Sequence, residues 1–146
     1  MALTVISQAQ QQPTKEETVA FMKRTLEAAN GSKTPYGTLK EVNFSENSYS
    51  TRIIYGNGYQ DISSIKWESM ISTEIAIRKF YECSGIKVSY RYQATLKKGM
   101  DGLKSIEEGV SEIDFYVPTD KAESFKKACL RLAEIAKEEN KDPFQN

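Results

Sequence analysis

Glu107, Glu108, Glu112 and Asp114 crowd one short segment. On an extended strand Glu112 and Asp114 would share a face, because side chains alternate. Paired carboxylates are the device of glycoside hydrolysis, one acid protonated and the other ionised, and acidic clusters also hold Ca²⁺. Nothing in the segment matches the D-x-[DN]-x-[DN]-G pattern of a calcium loop. Neighbouring acids on an exposed strand face are more often solvated charge, so a carboxylate-pair hydrolase is the least favoured function and no catalytic residue is assigned. Lys121, Lys126, Lys127 and Arg131, with Lys97, Lys98 and Lys104 upstream, could form an anion-binding patch. Glu123 and Glu134 interrupt that series, which fits the outer face of an amphipathic helix.

The chain of 146 residues contains no histidine. That removes the commonest general base near neutral pH and the commonest transition-metal ligand. Histidine triads, HExxH zinc sites and Cys–His nucleophile pairs are excluded with it. Cys83 and Cys129 are too few and too far apart for a CxxC redox pair or a cysteine-rich zinc site. Cys129 falls on the apolar stripe of a helix, so two buried free thiols are expected. No metal and no cofactor are expected. Eight tyrosines and one tryptophan form the remaining chemical resource. Aromatic rings on a sheet can stack on sugars or bases, although tyrosine also favours strands and half-buried rims. Tyr49, Tyr55, Tyr59, Tyr90 and Tyr92 are the candidate ligand or partner surface, since exposed aromatics clustered on a sheet mark interfaces.

The elements that must position these residues are legible from periodicity. Lys plus Arg and Asp plus Glu number 20 each, so no global field draws the chain toward nucleic acid or an anionic surface. No stretch approaches the roughly 18 apolar residues of a spanning helix. Thr14 and Glu17 form a capping box that opens a first helix, with Val19, Met22, Leu26 and Ala29 as its stripe and Asn30-Gly31 as its end. The period then changes to two. Val42 and Phe44 mark one strand, Ser45-Glu46-Asn47-Ser48 a tight connection, and Tyr49, Thr51, Ile53 and Tyr55 a second strand. Gly56-Asn57-Gly58 suits a hairpin turn. Residues 59–67 predict a third strand, Ile71, Thr73, Ile75 and Ile77 a fourth. Ser84-Gly85 is expected to turn the chain into a fifth, on which Ile86, Val88, Tyr90 and Tyr92 face one way. Residues 97–105, with two glycines, are expected to form a loop, and 110–117 the last strand. Thr119 or Asp120 should cap a closing helix whose core face is Phe125, Ala128, Cys129, Leu132, Ile135 and Ala136. Asp142-Pro143 should stop it.

The expected fold is therefore α+β: a bent antiparallel sheet of about six strands with an N-terminal helix and a C-terminal capping helix. Residues 14–146 form a single domain, preceded by a tail at 1–13. With its DISSIKW strand (61–67), its closing stripe of Ala128, Leu132 and Ile135, and its KDPF end (141–144), the chain resembles small uncharacterised single-domain proteins of Bacteroidetes-type bacteria. That resemblance implies no activity and carries over no functional residue. A strand meander closed by a C-terminal helix is also similar to the pleckstrin-homology-like architecture, a partly open barrel plugged by its helix. Lipid-binding members hold phosphates with basic residues at the first hairpin. Here that hairpin is Ser45-Glu46-Asn47-Ser48, so the phosphoinositide function does not transfer.

Residues 2–6 are largely apolar and Ser7-Gln8-Ala9 is a small-x-small triplet, which resembles the end of a secretory signal peptide. Export to the periplasm or medium is the expectation, with a cytoplasmic protein as the alternative. The expected function is a non-enzymatic binding or protein-interaction module, with an unidentified protein or small ligand as partner and neither nucleic acid nor a membrane span. The alternative is a small apolar-ligand carrier. A filled core with an exposed aromatic patch would favour the first, and a roomy pocket lined by tyrosine and isoleucine the second.

Overall fold

The computed structural model describes residues 11–53, 58–100 and 102–141. Helix α1 (Lys15–Ala28) starts at the expected box: the Thr14 hydroxyl accepts from the Glu17 amide at 3.2 Å, and the Glu17 carboxylate accepts from the Thr14 amide at 3.3 Å. Two of the four amides that a helix start leaves unpaired are satisfied in this way. Met22, Leu26 and Ala29 are sealed from solvent. Gly31 lies at φ +89°, a left-handed conformation that suits a residue without Cβ. Its amide donates to the Leu39 carbonyl at 2.8 Å and ties the helix exit to the sheet.

The sheet comprises β1 (Lys33–Thr34), β2 (Gly37–Ser45), β3 (Ser48–Ile53), β4 (Gly58–Ser63), β5 (Ala76–Lys79), β6 (Cys83–Met100) and β7 (Ile106–Pro118), and α2 (Ala122–Glu139) closes the chain. Every pairing is antiparallel. The six longer strands form one curled sheet, with the two-residue β1 at its margin, so the fold is α+β as expected. Strands β1 to β4 lie in order and β4 joins β6; β7 lies on the other side of β6.

Strand β6 sets the curl. Its first half pairs with β5 and its second half with β4, while β7 runs along the other side of both. Ser89 and Ala94 are five residues apart, yet their partners Glu112 and Val110 are two apart. Such an irregularity bends the bulged strand and raises its twist. Helices α1 and α2 pack against each other and against the sheet, α1 touching β2 and β7 and α2 touching the segment around Trp67. Phe115 lies at the centre of the core. Its ring is 4.9 Å from Tyr49, 5.6 Å from Phe125, 5.9 Å from Trp67 and 6.4 Å from Phe44. Each large apolar side chain so enclosed stabilises the fold by roughly 1.5–3 kcal/mol. Cys83 and Cys129 are both free and buried, as expected.

Several segments depart from the expectation. The third strand stops at Ser63 because Ser64 takes φ +57°, a conformation that breaks a strand. The following residues fold onto the β2–β3 turn. The Ile65 amide donates to Asn47 O at 3.0 Å, Asn47 Nδ2 donates to Ile65 O at 2.9 Å, and the Trp67 indole N–H donates to Glu46 O. Trp67 thus sits on a 3₁₀ turn (Trp67–Ser69), buried, instead of on a strand. The expected fourth strand divides into a second 3₁₀ turn (Ser72–Glu74) and the short β5. Ser84 and Gly85 lie inside β6, and the reversal falls just before them, where the Phe80 amide donates to Cys83 O at 2.8 Å. Residues 97–100 continue β6, so the expected 97–105 loop is shorter. At α2 neither Thr119 nor Asp120 supplies a side-chain cap, because a 3₁₀ turn (Thr119–Lys121) leads into the helix. The expected signal-like segment at 2–9, the Gly56-Asn57 turn and the Asp142-Pro143 stop lie outside the described residues.

Candidate functional site

Strands β3, β4, β6 and β7 enclose a cleft of about 600 Å³ that no residue of α1 or α2 borders. The pairings explain its walls. Ile53 lies opposite Gly58, Thr51 opposite Gln60, Ile62 opposite Leu96, and Lys98 opposite Ile106, so these side chains share the concave face. Ile62, Leu96 and Ile113 are also buried in the core, which makes the floor continuous with it. The rim is apolar as well. Tyr36, Met100, Leu103 and Ile106 are 68%, 45%, 66% and 58% exposed, four of the six large apolar side chains exposed among the described residues. Exposed apolar groups gathered at one place mark a binding surface.

Strand β7 enters the wall from both its faces. Val110, Glu112 and Asp114 alternate along one face of β7 and Ile113 lies on its other face; all four line the cleft. The free edge of β7 therefore lies along the cleft. The Glu112 carboxylate is 3.3 Å from Lys87 Nζ, and that of Glu108 is 3.2 Å from Lys98 Nζ. Partial burial, aided by Glu112, raises the Asp114 carboxyl above its ordinary value, against the opposing pull of Lys87 and Arg78. The two candidate acids stand two residues apart on one strand, Glu112 ion-paired to Lys87, instead of facing each other across a bond to be broken. Among the described residues no group of three or more cysteine, aspartate or glutamate side chains could hold a metal ion.

The candidate tyrosines do not form one surface. Tyr49 and Tyr90 are buried in the core, and burial raises both phenols above their ordinary value. Tyr59 is half-buried with its ring across Gly99, where an added Cβ would meet the Tyr59 hydroxyl at 3.0 Å, and Arg52 lies 6.0 Å from its centroid. It borders both the cleft and a smaller polar hollow of about 400 Å³, in which Arg52 Nε is 3.1 Å from the Glu41 carboxylate. Tyr92 is 63% exposed in the bulged part of β6, with Lys66 Nζ 5.7 Å from its centroid. Tyr55 lies outside the described residues. Of the four described, only Tyr59 reaches the cleft.

The basic series is likewise divided. Lys98 and Lys104 border the cleft, whereas Arg131 on α2 donates to Pro13 O and Glu134, both at 2.8 Å. The side chains missed in the sequence are Tyr36, Leu96, Met100, Leu103, Ile106 and Val110. Ala94, Leu96, Lys98 and Met100 continue the period of two into the segment assigned to a loop, and that alternation was the signal. No family model matches the chain, and no curated protein or solved structure matches it.

Proposed function

We propose that this protein is a non-enzymatic binding module that receives the apolar part of a small or amphipathic ligand in the cleft between β3 and β7. The observation that carries this reading is the coincidence of volume, lining and rim. A space of about 600 Å³ lies within the usual range for ligand sites, which are mostly apolar with a few placed polar groups. Its floor is isoleucine and leucine, its polar groups include Thr51, Gln60, Lys98, Lys104, Glu112 and Asp114, and its rim holds most of the exposed apolar side chains. Pocket character of this kind favours the carrier over a module that presents an aromatic sheet surface, since Tyr49 and Tyr90 are enclosed.

The environment-sensitive dye N-phenyl-1-naphthylamine tests the proposal by fluorescence titration. Wild-type protein should bind it saturably. A Val110→Trp variant, which places an indole in the cleft from a half-buried position, should bind about tenfold more weakly, equivalent to ~1.4 kcal/mol, with its circular dichroism unchanged. Absence of saturable binding, or equal affinity in a folded Val110→Trp variant, would overturn it.

A further inference from the structure

We propose that the cleft's ligand is an extended polypeptide, added as a strand to the free edge of β7 with basic side chains on the face of Glu112 and Asp114 and apolar ones on the face of Ile113. This rests on the reading of the cleft as the binding site. Among the described residues β7 ladders with β6 alone, so its other edge has no strand partner. The orientation of that edge is fixed by one contact: the Tyr116 amide points away from β6 and donates to the Tyr49 hydroxyl at 3.4 Å. By the period of two along a strand, the amides and carbonyls of Asp114 and Glu112 point the same way. Cleft-lining side chains from both faces of β7 put this row of backbone groups in the cleft wall. An unpaired edge recognises an extended backbone through its own hydrogen bonds, and alternate side-chain pockets then supply selectivity.

Charge decides the occupant. Between Ile106 and Pro118 the strand carries Glu107, Glu108, Glu112 and Asp114 and no basic residue. A second copy pairing through the same edge would set acids against acids, the arrangement by which edge strands resist self-association. A peptide with lysine or arginine at alternate positions, on the face of Glu108, Glu112 and Asp114, is complementary instead. Asp114 is available to it, having no ion pair within 4 Å among the described residues. The peptide's alternate, apolar positions would lie on the face of Ile113.

A capped peptide of alternating valine and lysine is the probe, read by displacement of N-phenyl-1-naphthylamine and by amide hydrogen exchange of the intact protein. The peptide should displace the dye and slow exchange at Glu112 and Asp114 about tenfold or more. The same peptide N-methylated at every amide should do neither, and a valine–glutamate peptide should bind more weakly. Dye binding that the valine–lysine peptide cannot displace would overturn strand addition while leaving the cleft reading intact. Equal displacement by the N-methylated peptide would also overturn it, since side chains alone would then suffice, and equal binding of the glutamate peptide would overturn the basic preference. Protein that binds neither dye nor peptide would lose the cleft reading itself.

Discussion

The Tyr49 hydroxyl accepts from the Tyr116 amide, whereas the Tyr90 hydroxyl, equally enclosed, has no hydrogen-bond partner among the described residues. Removing an oxygen therefore acts with opposite sign at the two sites. Tyr90→Phe deletes an unsatisfied buried group and should raise the unfolding free energy by about 1 kcal/mol, while Tyr49→Phe strands an edge amide and should lower it by a similar amount. Urea denaturation of both variants measures the pair; a loss at Tyr90 would mean that its hydroxyl is satisfied. The contrast also shows what residue types conceal. Alternation along 86–92 was legible and Ile86, Val88 and Tyr90 are buried together. The bulge that brings Tyr92 out to solvent depends on the mismatch with β7, a partner sixteen or more residues away, and local pattern does not encode it.

At the scale of elements, what could be read was whatever is held by local physics. The capping box of α1 and the apolar stripe of α2 need only neighbours three and four residues away, and both form. Thr14→Ala should accordingly lower stability by about 1 kcal/mol, measurable as a shift in the thermal midpoint, and an unchanged midpoint would show the box to be ornamental. The segment around Trp67 needed tertiary information. Ile62, Ile65 and Trp67 look like strand residues, but three hydrogen bonds to the β2–β3 turn hold residues 65–67 and the Trp67 ring stacks on Phe115. Glycines misled at the other end of the sheet, since Gly99 lies within β6 under the Tyr59 ring. The candidate site was obscured in part for that reason: five of its nineteen lining residues sit in a segment whose composition suggests a loop.

Over the whole molecule, charge and burial give the fold its response to pH and to thiol reagents. Burial raises the Asp114 carboxyl in the folded protein, so folding is disfavoured once that group ionises. The favourable state exists below the unfolded carboxyl range and is lost as pH rises through the folded value. Asp114→Asn should therefore raise the thermal midpoint at neutral pH and change it little in acid. A variant less stable than wild type at neutral pH would show that the ion contributes favourably, through Lys87 or Arg78. Burial also raises both thiols, and Cys83 and Cys129 should react with Ellman's reagent only on unfolding. Lys15 joins three elements, lying 2.6 Å from Glu46 at the β2–β3 turn and 2.9 Å from Glu139 near the end of α2. The helices and the upper sheet thus form a closed unit, and the half of the sheet beyond them is left to the cleft.

Methyl-resolved NMR of the isoleucine, leucine and valine side chains during titration with N-phenyl-1-naphthylamine tests the central claim most directly. The account predicts concerted shifts at Ile53, Ile62, Leu96, Val110 and Ile113, with Val19, Val117 and Leu132 unmoved. Shifts confined to the helices or to the neighbourhood of Tyr92, or none at all with the protein folded, would contradict it.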